Sequence, residues 1–160
     1  DFRVLNFLEQ ALTGPEGSTL SPIASGLDMA KAMNLHPIYF DFREAQIRPD
    51  AAAELDQVAQ MMRENPSISI DLRSHTDSRA STEYNDVLSQ RRAENSRQYL
   101  IAQGVVPARI TCKGYGERQL VNRCADGVDC TEAEHQMNRR TEFIITSCPG
   151  CPGAALISRP

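Results

Sequence analysis

Asp77 and Arg92 stand fifteen residues apart, the aspartate at the end of an alternating apolar run and the arginine inside a long helical pattern. In that pattern one stripe, at four-residue spacing, reads Tyr84, Leu88, Arg92, Ser96 and Leu100. A charge in the middle of such a stripe is out of place, because a half-buried guanidinium needs an anion. Asn85 and Ser89 share its face, and Asp77 is the nearest candidate anion. An aspartate and an arginine facing one cleft can take a zwitterion, with the carboxylate on its ammonium and the guanidinium fork on its carboxylate. The same two residues can also form a plain structural ion pair, and spacing alone leaves both readings open.

Other groups invite other chemistry. His75, Asp77 and Ser78 contain the residue types of a hydrolase. They lack the glycine-flanked serine turn and a third group to orient the base, so His75 reads as a packing residue and the chain as no enzyme. Cys124 and Cys130 flank a short polar loop, residues 125–129, that holds its shape poorly by packing. A disulfide is the expected staple, and it implies an oxidising compartment. Cys148 and Cys151 have the spacing of one zinc knuckle or of a redox pair. The other cysteine pair does not match that spacing, and no helix follows, so neither a metal nor a cofactor is expected. Cys112 reads as a small buried hydrophobe; the states of Cys148 and Cys151 are left open.

The elements that must position these residues follow from periodicity. Residues 1–36 read as an N-terminal extension, with a short amphipathic helix over Phe2–Leu12, a break at Gly14–Ser18, and a linker over residues 19–34 carrying one helical turn near Met29–Met33. Ile38, Phe40 and Phe42 alternate as a first strand. Pro49 sits at a first helical position, Asp50 and Glu54 follow, and Leu55, Val58, Ala59 and Met62 make an apolar stripe that ends at Asn65-Pro66. Ile68, Ile70 and Leu72 alternate as a second strand. A long helix spans about residues 83–103 before Gly104 as a left-handed cap. A third strand covers residues 110–115, a polar insertion holds Cys124 and Cys130, and a last strand covers residues 141–146. The order β-α-β-α-β-(insertion)-β predicts an α/β sandwich with helices on one face of a small mixed sheet. The domain is expected over residues 37–147, with a Pro/Gly tail over residues 148–160.

Composition narrows the partners. The chain has 160 residues, 41% of them apolar, with 17 basic against 21 acidic residues and a net charge of −4. That excludes a broad cationic surface, and nucleic acid with it. No apolar run approaches the roughly 20 residues that span a bilayer. The chain opens on Asp1 and reads as a piece of a longer protein.

The run His75-Thr76-Asp77-Ser78, Tyr84-Asn85, Leu88-Ser89 and Arg91-Arg92-Ala93 resembles the C-terminal domain of outer-membrane protein A and its relatives, the peptidoglycan-associated lipoprotein and MotB. Tyr39-Phe40-Asp41-Phe42, Gly114-Tyr115-Gly116-Glu117 and Asn138-Arg139-Arg140 extend the resemblance over residues 37–146. It implies non-covalent binding of peptidoglycan through the diaminopimelate of the stem peptide, in the periplasm, with the protein tied to the outer membrane. By motif position, Asp77 and Arg92 would hold the ligand, with Asn85, Thr76, Leu88 and the backbone around Phe40 and Asp41 shaping the site. Asn138, Arg139 and Arg140 would be structural, the arginines pairing with acids such as Asp77 or Glu142. Many relatives carry glycine three residues after the motif aspartate; here Ala80 stands there, which fits unless its φ is positive. The insertion resembles the Bacteroidetes-type form of the domain, in which upstream modules join the wall to an outer-membrane complex such as a secretion machine. A protein-interaction module without wall binding is the alternative implied by the same fold.

Overall fold

The computed structural model describes residues 25–149. The expectations for the first helix and for the Pro/Gly tail lie outside the described residues. Helix α1 spans Ser25–Ala32, where the sequence predicts a linker with one helical turn. It ends at Asn34 in the left-handed region (φ 62°), with Leu35 N donating back to Ala30 O at 2.9 Å. Met29, Ala30 and Leu35 are buried in the main core, so packing begins upstream of the expected boundary at residue 37.

Strand β1 is Ile38–Tyr39, two residues rather than the five that alternation predicts. The alternation itself holds, with Ile38 and Phe40 buried and Phe42 exposed. Pairing stops because arginine side chains take over the backbone. Arg139 Nε donates to Phe40 O at 2.8 Å, and Arg92 binds the carbonyls of Asp41 and Glu44. Arg43 then turns the chain at φ 60°.

Helix α2, Pro49–Glu64, has Pro at its start, Asp50 in the first turn, and Ala51, Leu55, Val58, Ala59 and Met62 buried. Asn65 stops it by donating its side-chain amide to Met61 O at 2.8 Å. Strand β2, Ser69–Ser74, follows with strict alternation, Ile70, Leu72 and Ser74 inward. Helix α3, Thr82–Ala102, is capped by Ser81, whose side chain accepts from Tyr84 N, and closes at Gly104 (φ 95°). A 3-10 turn, Pro107–Arg109, leads to strand β3, Ile110–Gly114. Helix α4, Glu132–Asn138, carries a reciprocal capping box between Thr131 and Glu134, where the sequence predicts only a polar insertion. Strand β4, Arg140–Ser147, completes the sheet.

The sheet order is β1-β4-β2-β3. β2 runs parallel to β3 and antiparallel to β4, so the sheet is mixed, as predicted. Its inner face meets α2 and α3 over Leu55, Val58, Ile70, Leu72, Leu100, Phe143 and Ile145, all 2% exposed or less. No described helix is long and apolar enough to cross a membrane.

Two glycines let β3 end hard against α3. A Cβ on Gly114 would run into Gln90 N and Ser89 Oγ, and one on Gly116 (φ 58°) into Asp86. Gly116 N donates to Ser89 Oγ at 2.8 Å, while Gly116 O accepts from Thr76 N at 2.9 Å. The Gly-Tyr-Gly motif thus ties α3 to the segment that follows β2.

Candidate functional site

The chain leaves β2 at Ser74 and enters α3 at Thr82. The intervening loop is pinned from three sides. His75 N bonds Arg140 O at 2.8 Å. Asn85 Nδ2 bonds the carbonyls of Asp77 and Arg79 at 3.3 and 3.0 Å. Ser78 Oγ donates to Cys124 O. Cys124 and Cys130 form the expected disulfide, with Cα atoms 5.9 Å apart, and Cys124 is fully buried. The stapled insertion therefore buttresses the loop that carries Asp77. Asn138 holds the insertion from the other side, bonding Val121 N and Asn122 Oδ1 at 2.8 Å each. Cys148 is also disulfide-bonded; Cys112 is free and half-buried.

Arg92 is fully buried, but its partner is not Asp77. Nε donates to Glu44 O at 2.8 Å, Nη1 to His75 O at 3.0 Å and Nη2 to Asp41 O at 3.1 Å, and the guanidinium carbon lies 5.0 Å from the Phe40 ring centroid. Three carbonyls from two distant segments hold it, with no carboxylate within ion-pair distance among the described residues. Burial, and then the neighbouring Arg139 charge, push its pKa down to about 10; the group stays cationic at neutral pH. Of its five N–H donors, three are bound, which leaves two on a guanidinium that lines the cleft.

Asp77 is the opposite case. Its carboxylate, 4% exposed, accepts from Arg79 N at 3.0 Å, Arg79 Nη2 at 2.8 Å and Arg139 Nη1 at 3.2 Å. Burial alone would raise its pKa; the hydrogen bonds from Arg79 and Arg139 outweigh that and hold it below the ordinary carboxylate value. Glu132 bridges the same two arginines, at 3.1 Å to Arg79 and 2.8 Å to Arg139. The Arg79 guanidinium carbon also lies over the Phe42 ring, 4.0 Å from its centroid.

One cleft is lined by Thr76, Asp77, Asn85, Leu88, Arg92 and Arg139, together with Phe42, Arg43, Arg79 and Tyr84. Five of the seven expected ligand residues meet there. Phe40 and Asp41 do not line it: the Phe40 carbonyl is occupied by Arg139 and Gln136, the Asp41 carbonyl by Arg92, and the Asp41 side chain faces Arg48. Arg139, expected only as scaffold, is both scaffold and wall. Arg140 is scaffold, bonding Glu142 at 2.8 Å. Phe42, Arg43, Arg79 and Tyr84 are wall residues that the sequence does not single out for the site. Arg79's place two residues after Asp77 was the available signal. Thr76 Oγ1 is buried without a partner. The free volume is only about 10 Å³, room for about one water, and Arg79, held on Asp77, is one of its walls. Ala80 sits at φ 76°, the case in which the missing glycine matters.

His75 lies beneath, stacked on Tyr115 at 5.5 Å, with both ring nitrogens unpaired. Burial pushes its pKa down. Glu142 is held down to about 2 by the facing His75 and by Arg140. At 3.8 Å the imidazole is too distant for a hydrogen bond, so Arg140 is the firmer restraint. Ser78 Oγ points at Cys124 O rather than at His75, and the hydrolase set is not assembled.

A family model described as the OmpA family matches residues 39–133. Outer membrane porin F of Pseudomonas fluorescens is 39% identical over 108 residues, 68% of this chain and 32% of the porin. The peptidoglycan-associated lipoprotein of Rhizobium meliloti is 39% identical over 108 residues, 68% of this chain and 58% of the lipoprotein. The chain thus spans less than two thirds of these curated relatives. The crystal structure of the peptidoglycan-associated lipoprotein from Burkholderia pseudomallei matches with a TM-score of 0.62 at 31% identity, over 68% of this chain and 88% of that one.

Proposed function

This chain belongs to the OmpA family, and on that premise we propose that it is a non-enzymatic anchor that binds peptidoglycan through the diaminopimelate of the stem peptide. One observation carries the reading: Arg92 is a fully buried cation that lines a cleft and is held by carbonyls alone. Its carbonyl partners fix its orientation without neutralising it. A ligand carboxylate supplies the missing anion through the two remaining donors.

The ammonium on the same carbon goes to Asp77. Arg79 Nη2 already occupies that carboxylate at 2.8 Å, as a built-in stand-in for the ligand cation. Binding therefore exchanges one cation for another at Asp77 and adds a new ion pair at Arg92. Arg79 is a third exposed and can swing out while keeping Glu132. Thr76 Oγ1 offers an unpaired polar atom to the ligand, Leu88 an apolar wall, and Asn85 keeps the Asp77 loop in shape. In the cell the domain would tie an outer-membrane-associated protein or complex to the wall from the periplasm. The relatives named for peptidoglycan association and the disulfide support that setting.

Co-sedimentation with purified sacculi tests the reading. Wild type should pellet; Asp77→Asn and Arg92→Met should stay largely soluble, because losing one member of a desolvated charge pair costs about 2–5 kcal/mol of binding. Unchanged pelleting of both variants would sink the assignment, and soluble muropeptides released by the wild type would point to hydrolysis.

A further inference from the structure

Arg43 is held at φ 60°, a conformation that residues other than Gly, Asn and Asp rarely adopt. Backbone outliers of this kind concentrate at ligand sites. Its guanidinium lies 5.1 Å from the Phe42 centroid and 6.0 Å from that of Tyr84, and among the described residues it makes no hydrogen bond or ion pair. It also lines two spaces at once: the small cleft, and an open groove of about 760 Å³ that continues from it past Tyr84, Val87 and Arg91. Tyr84 and Val87 are 44% and 55% exposed, which makes this rim an apolar patch beside a charged site.

Around the cleft stand four guanidiniums, from Arg43, Arg79, Arg92 and Arg139, against two carboxylates, Asp77 and Glu132, a surplus of two positive charges. A zwitterion brings no net charge and leaves that surplus in place. Glu44 and Glu83 line the groove together with Arg43 and Arg91; even with Glu44 counted at the cleft, where its carbonyl holds Arg92, one positive charge remains in excess.

We infer that Arg43 is a second anion contact, which takes the free α-carboxylate of the isoglutamate preceding diaminopimelate in the stem peptide, with the peptide continuing along the Tyr84–Val87 groove toward the glycan. This rests on the stem-peptide reading above. The geometry favours this carboxylate because it is carried on the same chain, one residue from the end held by Asp77 and Arg92. An arginine stationed where groove and cleft meet is placed to receive it.

The test uses two synthetic tripeptides, L-Ala-γ-D-Glu-diaminopimelate and its isoglutamine counterpart, titrated calorimetrically into the chain at low salt. Wild type should bind the isoglutamate peptide about threefold to fivefold more tightly, a size set by the exposure of Arg43, and the preference should shrink as salt rises. Arg43→Asn suits the left-handed backbone and should fold normally; in it the ratio should fall to about one. Equal binding of both peptides by wild type, or a preference that survives in Arg43→Asn, would overturn the inference while leaving the anchor function intact. Failure of wild type to bind either peptide would instead overturn the stem-peptide reading itself.

Discussion

Helices α2 and α3 pack side by side on the same sheet, yet they bury different things. α2 buries Ala51, Leu55, Val58, Ala59 and Met62, an unbroken apolar stripe. α3 buries Asn85, Leu88, Ser89, Arg92, Ala93, Ser96 and Leu100, a stripe polar through its N-terminal half. The first stabilises by removing apolar surface from water. The second gives up much of that gain, and its polar groups brace loops: Asn85 the Asp77 turn, Ser89 the Gly-Tyr-Gly segment, Arg92 three separate carbonyls. One helix makes the domain stable, and the other spends part of that stability on a rigid cationic cleft.

That contrast can be broken by mutation. The largest effect on stability should come from Leu55→Ala, about 2–5 kcal/mol by urea titration, with sacculus binding of the remaining folded protein unchanged. Arg92→Met should cost less, about 2–3 kcal/mol, because three buried carbonyls lose their donor while a desolvated charge disappears; its binding should weaken at least about tenfold. If Leu55→Ala also abolished binding in folded protein, the division of labour between the helices would fail.

Acid should strike the site side first. The His75, Asp77 and Glu142 pKa values are all depressed in the folded protein. Each therefore contributes stability that is full above its unfolded pKa and is lost as pH falls. Loss should begin below about 6.5 as unfolded His75 takes its proton, and deepen below about 4 as the carboxylates follow. Thermal melts from pH 7 to pH 3 should show both stages, and His75→Leu should remove the first. Reducing the Cys124–Cys130 bond should cost about 2 kcal/mol and weaken sacculus binding through the Ser78 contact, whereas Cys112→Ser should leave binding unaltered. The smallest effect should be a gain: Ala80→Gly relieves a left-handed alanine and should stabilise by about 0.5–1 kcal/mol, net of the extra freedom of the unfolded chain.

The same contrast explains what the sequence could reveal. α2, β2 and α3 were legible because their signals are local: Pro49 at a helix start, the alternation of Ile68, Ile70 and Leu72, the cap at Gly104. Arg92 announced itself by interrupting a stripe. Its partners did not, because the three carbonyls lie 17 to 51 residues away, and the expected anion turned out to be held by Arg79 and Arg139. β1 is short for the same kind of reason, since side chains from residues 92 and 139 occupy the backbone that a strand would have used. α4 had a readable start in Thr131 and Glu134, but seven residues give too little periodicity to stand out from a polar insertion. Arg43 carried no local sign that it would sit by Phe42 and wall the cleft, and the one sign for Arg79 was its place two residues after Asp77.

The role of Arg92 as a buried cation awaiting an anion is tested most directly by replacing diaminopimelate with lysine in an otherwise identical stem peptide. The two side chains share an ammonium and differ by the distal carboxylate. Wild type should bind the diaminopimelate peptide at least about tenfold more tightly, the size expected when a buried charge is left unpaired, and Arg92→Met should lose the preference. Equal affinity of wild type for the two peptides would mean that Arg92 is held by its three carbonyls for structure alone.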